Sequence, residues 1–74
     1  SFVEGIWKTW AQHAPLDALK AAQALPPSER DVRIGEIVVS WAQKNVKAAT
    51  AWVDDLPARE SRHALNKLIM EKTS

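Results

Sequence analysis

Residues 41–57 read Trp41-Ala42-Gln43-Lys44-Asn45-Val46-Lys47-Ala48-Ala49-Thr50-Ala51-Trp52-Val53-Asp54-Asp55-Leu56-Pro57. The same outline stands 31 residues earlier, from Trp10-Ala11-Gln12 to Leu25-Pro26 (41 − 10 = 31; 56 − 25 = 31). Glu29 likewise returns as Glu60. A fixed spacing of about 20–50 residues marks stacked supersecondary units, none of which buries its apolar face alone.

The prolines give the units their internal joints. Proline is favoured in a helix's first turn and disfavoured in its interior. Pro15, Pro26, Pro27 and Pro57 therefore mark helix starts and divide the chain into five segments of about 10–17 residues. The segments are rich in Ala, Leu, Lys and Glu, which favour helix. None shows the period-2 alternation of a half-buried strand.

The first helix is predicted from Phe2 to about His13, with Ser1 and Glu4 as a capping box. Its stripe is Val3, Ile6, Trp7 and Trp10. The second runs from Pro15 to near Leu25, with Ala18, Ala21, Ala22 and Leu25 on one face. The third runs from about Glu29 to Lys44, capped by Ser28, with Ile34, Ile37, Val38 and Trp41 as its stripe. Asn45 is expected as its left-handed C-cap. The fourth covers about Val46 to Asp55, with Ala49, Trp52, Val53 and Leu56 apolar. The fifth opens at Pro57 and runs to about Lys72, with Ala64, Leu65, Leu68 and Ile69 apolar. The stripes obey the same offset: Val3, Ile34 and Leu65 correspond, as do Ile6, Ile37 and Leu68, and Trp7, Val38 and Ile69.

At Trp10-Ala11-Gln12…Leu25-Pro26 and Trp41-Ala42-Gln43…Leu56-Pro57 the chain resembles an α-solenoid of helical hairpins, in the broad class of tetratricopeptide and HEAT repeats. It is most similar to bacterial arrays with a Trp-Ala start, an Ala-rich second helix and a Leu-Pro end. The likeness covers nearly the whole chain, as helix-pair units of about 1–26 and 27–57 and a half unit of 58–74. It implies an all-α fold: five antiparallel helices in a right-handed stack, within one domain. It also implies a protein- or peptide-binding scaffold. The spacing of 31 is shorter than the tetratricopeptide period of about 34. That pattern's Leu-Gly and Tyr are also missing after Trp10 and Trp41, and no ligand-contact residue carries over.

Bulk composition narrows the function classes. The 74 residues carry 10 Lys+Arg against 9 Asp+Glu, interspersed, which lacks the footprint of a dedicated nucleic-acid binder. There is no cysteine to form a disulfide or a thiolate metal site. No apolar run approaches the roughly 18 residues of a membrane span, and the first residues show no signal-peptide pattern. The compartment stays open.

Four tryptophans stand out. Trp10 and Trp41 hold equivalent positions and are expected to wedge helices together, and Trp7 falls in a core register. Trp52 corresponds to Ala21 and either fills a gap or anchors a partner; tryptophan is favoured at binding hot spots. His13 and His63 lack metal-ligand spacing. Asp54 and Asp55 point about 100° apart on a helix and make no proton-sharing pair, so solvation or a salt bridge to Arg59 or Arg62 is expected. Arg30 with Arg33, and Arg59 with Arg62, flank two helix starts and could form a basic edge for an acidic peptide or phosphate. Glu29, Asp31 and Glu60 are interleaved with them.

No nucleophile motif, phosphate loop or metal cluster is present, and no cofactor is implied. The reading is a noncatalytic protein- or peptide-binding module, standing alone or as a fragment of a longer array. Its ends, with Phe2 and Trp7 at one and Leu65, Ile69 and Met70 at the other, are expected partly exposed and able to meet more repeats, a partner or a second copy. The first alternative is a nucleic-acid-binding repeat using Lys8, Lys20, Arg30, Arg33, Lys44, Lys47, Arg59 and Arg62. The second is an accessory subunit of an enzyme.

Overall fold

Helices α1 (Phe2–His13), α2 (Pro15–Gln23), α3 (Pro27–Lys44), α4 (Val46–Asp54) and α5 (Arg59–Thr73) follow one another with short joints. The computed structural model describes the backbone of residues 2–73 and the side chains of residues 6–73. The cap expected at Ser1 and Glu4, the stripe position Val3 and the exposure of Phe2 lie outside the described residues. Among the described residues there is no strand, so the fold is all-α. The radius of gyration is 11.2 Å, as expected for a compact chain of this length.

Helix α3 is the hub. It packs against all four other helices; α1 also packs on α2, and α4 on α5. Among the described residues no contact joins α1 to α5 or α2 to α4. The molecule is thus two three-helix groups, α1–α2–α3 and α3–α4–α5, that share α3. The central position explains α3's wide apolar arc: Ile37 and Val38 are fully buried and Ala42 nearly so.

At several positions burial repeats at the 31-residue offset. Ala18 and Ala49 are both fully buried, as are Ala22 and Val53, and Ala11 and Ala42 are both core. Val38 and Ile69 also match, so Ile69 is core and not an exposed end, contrary to the sequence expectation. Helix α5 packs on both α3 and α4. Leu19 joins the core although the expected stripe of α2 omits it. It lies three residues before Ala22 and so widens the buried face beyond the Ala18–Ala22 line.

Several helix ends differ from expectation for local reasons. Pro27 starts α3 with Pro26 as N-cap, so Ser28 is already inside the first turn and does not cap it. Pro57 does not open α5. Ala58 accepts the first helical bond, from the Arg62 N–H at 3.1 Å, and α5 starts at Arg59. The earlier joint has a second proline, pre-set for helix, where this one has Ala58. Asn45 is extended at φ −150° and is not a left-handed cap. Its side chain instead accepts from the Ala48 N–H at 3.1 Å and caps α4.

Gly35 sits buried in mid-α3. A Cβ there would stand 3.3 Å from Leu68 Cδ2 on α5, so the glycine allows the two helices their close approach.

Candidate interaction groove

A groove of about 680 Å³ opens between the N-terminal halves of α3 and α5 and the end of α4. Its base is apolar: Ile34 from α3, Trp52 from α4, Leu56 from the following joint and Leu65 from α5. All four are half-buried and packed on the core. Gln23, Asp31, Glu60 and Ser61 stand exposed around them, with Arg30 half-buried.

The local sequence accounts for the shape. The Leu56-Pro57 joint interrupts the helical path, because the residue before proline is pushed out of the α region. Helix α4 ends at Asp54, and the N–H groups of Asp55 and Leu56 tighten the turn back onto Trp52 and Val53 carbonyls. Trp52 is thereby held at the last turn of α4, on the groove's base. The equivalent position in the first unit is Ala21. An indole thus lines this groove where the register itself asks only for a methyl group.

Four candidate arginines do not converge here. Arg33 is half-buried and pairs with Glu36 through Nη1 to Oε2 at 3.0 Å. Arg62 donates from Nη1 to the carbonyl oxygens of Leu56 and Pro57, covering acceptors left free where α4 ends. Arg59 is exposed at the first residue of α5 and outside the groove. Arg30 alone lines it, with Nε 3.6 Å from its neighbour Asp31 Oδ1. The rim is therefore of mixed sign, Arg30 beside Asp31 and Glu60, and not a basic edge. An exposed pair such as Arg30–Asp31 contributes about 0–1 kcal/mol and leaves both groups available to a ligand.

The other candidates lie elsewhere. Trp7 is half-buried and stacks on Trp10, with ring centroids 5.6 Å apart and planes at 26°. Trp10 is 37% exposed, whereas its counterpart Trp41 is half-buried against the core. The end helix α1 lacks the neighbours that cover α3. Met70 is 71% exposed on α5. Leu65, expected at an open end, is half-buried in the groove.

The polar residues weighed for chemistry are at the surface: His13, His63, Asp54 and Asp55 are exposed. Asp54 accepts from Asn66 Nδ2 at 3.2 Å and not from Arg62, which is turned to the joint. Among the described residues no three metal-ligating side chains cluster, and no helix is long and apolar enough to cross a membrane. Sequence reasoning singled out Trp52 and Arg30 through their register. It missed Gln23, Asp31, Glu60 and Ser61 as groove residues, because their meeting depends on how α3 and α5 are spaced. Gly35 was the available signal for that spacing.

No protein-family model matches the chain, and no match is found among curated proteins or solved structures.

Proposed function

We propose that the chain is a noncatalytic module that binds a protein or peptide, built as a right-handed stack of antiparallel helical hairpins. Two observations support the stack. Burial recurs at several positions of the 31-residue offset, and among the described residues helices touch only nearest or next-nearest neighbours in the chain. The binding role is carried by one observation: Trp52, large where the register needs only Ala21, lines an open apolar groove with charges at its rim. An indole in a partly dry pocket is the kind of group that dominates interface energetics.

The ligand that fits is a peptide segment with one apolar side chain on Trp52. A basic residue would face Asp31 and Glu60, and an acidic one Arg30. The test is selection from a displayed random-peptide library, followed by affinity measurement against Trp52→Ala. Enriched peptides should lose at least about tenfold in affinity, roughly 1.4 kcal/mol, while the variant keeps its helical circular dichroism. Two results would overturn the reading. One is that no peptide is enriched; the other is that enriched peptides bind Trp52→Ala equally well. Salt-dependent binding of a generic oligonucleotide, with no peptide enriched, would shift the reading to nucleic acid.

A further inference from the structure

Resting on the peptide-binding reading of the groove, we infer that its ligand is basic: a segment whose apolar side chain on Trp52 stands next to a lysine or arginine.

The arginines around the groove are engaged, and one of its carboxylates is not. Three charged side chains line it, the cation of Arg30 against the two carboxylates of Asp31 and Glu60. Arg30 lies on Asp31, with Nε to Oδ1 at 3.6 Å. Arg33 is held by Glu36 at 3.0 Å, and Arg62 by the carbonyl oxygens of Leu56 and Pro57. Glu60 is exposed, and among the described residues no arginine or lysine pairs with it. Arg59 and His63, its basic neighbours on α5, are exposed and make no ion pair with it either.

The sign of the ligand follows from what each charge must displace. A ligand carboxylate would compete with Asp31 for Arg30 and meet Glu60 as a like charge. A ligand ammonium or guanidinium meets Glu60 with no internal partner to break. The second carboxylate, Asp31, is also within the groove, with its side chain 82% exposed. The Trp52 indole lines the same groove, and an indole face attracts a cation and repels an anion. Both kinds of group on the wall therefore favour positive charge. The selection is modest, because an exposed ion pair changes affinity by about twofold to fivefold.

Selection from a displayed random-peptide library against the full chain tests this. Enriched peptides that lose affinity on Trp52→Ala should carry Lys or Arg beside their apolar anchor. In the tightest of them, replacing that Lys or Arg by Glu should weaken binding at least about threefold at low salt, and the gap should close near 1 M salt. Glu60→Gln should narrow the gap, and Glu60→Lys should remove or reverse it. Glu29 is the matching residue one unit earlier, exposed and outside the groove, so Glu29→Lys changes the net charge equally and should leave the gap in place. Two results would overturn the basic ligand and leave the groove a peptide site. One is that Trp52-dependent peptides carry acidic or uncharged neighbours. The other is that Glu29→Lys shrinks the gap as much as Glu60→Lys, which would assign it to the charge of the whole chain. If no peptide is enriched, or if enriched peptides ignore Trp52→Ala, both readings fall.

Discussion

Helices α1 and α5 hold the same place in the 31-residue register, yet their outer surfaces differ in kind. On α1 the exposed large side chains are Ile6 and Trp10. On α5 the exposed residues include Arg59, Glu60, His63, Lys67 and Glu71. Its polar groups are also occupied locally: Asn66 on Asp54, Arg62 on the joint carbonyls, Thr73 on Ile69. A terminal helix is soluble when its outward face is polar, as terminal repeats of stacked arrays require. Met70 is the exception on α5, at 71% exposure. The difference is one of neighbours, because Ile6 and the fully buried Ile37 are the same residue type in the same register.

The strongest way to break this comparison is to truncate that pair. Ile37→Ala should destabilise by about 2–5 kcal/mol, because a void in the hub helix cannot collapse onto four fixed neighbours. Ile6→Ala should cost under about 1 kcal/mol, since its side chain is half in water already. Urea unfolding followed by circular dichroism checks both, and equal costs would mean that α1 is covered as well as α3. Next in size is Gly35→Leu, which should cost about 1–3 kcal/mol by overpacking against Leu68. Gly35→Ala should stay within about 1 kcal/mol of the parent, the gain in helix propensity offsetting a small shift of Leu68. If Gly35→Leu were neutral, the α3–α5 spacing would not depend on that glycine.

Arg62→Met should lower stability by about 1 kcal/mol, because two joint carbonyls lose a charged donor while water can partly replace it. Thermal melting of the pair would show it, and no change would mean that the polar finish of α5 is ornamental to folding. The smallest effect belongs to Met70→Lys, expected within about 0.5 kcal/mol. A larger loss in its melting curve would reveal that α5 buries more of its outer face than its exposure indicates.

Much of the fold was legible before any coordinates. The bounds of α1 match those read from Phe2 to His13, and α4 differs only at its last residue. Prolines and apolar stripes act within a few residues, so their effects are written locally. What escaped was what depends on neighbours. Trp10 and Trp41 share a register, but only Trp41 has helices on both sides to cover it. Asn45 was read as ending one helix, whereas the extended backbone lets its side chain begin the next. Of the groove, Trp52 and Arg30 stood out as departures from the repeat. Asp31 and Glu60 did not, since their partnership arises only when α3 and α5 are laid side by side.

The contact pattern around α3 also bears on time. Among the described residues no helix touches another more than two places away in the chain, so each native contact between helices closes a short stretch of polypeptide. Chains with such local connectivity fold on the order of microseconds to milliseconds, because little loop entropy is spent before contacts form. A temperature-jump measurement using the indoles would resolve that phase, and a relaxation slower than about a second would show that assembly waits on something other than chain topology.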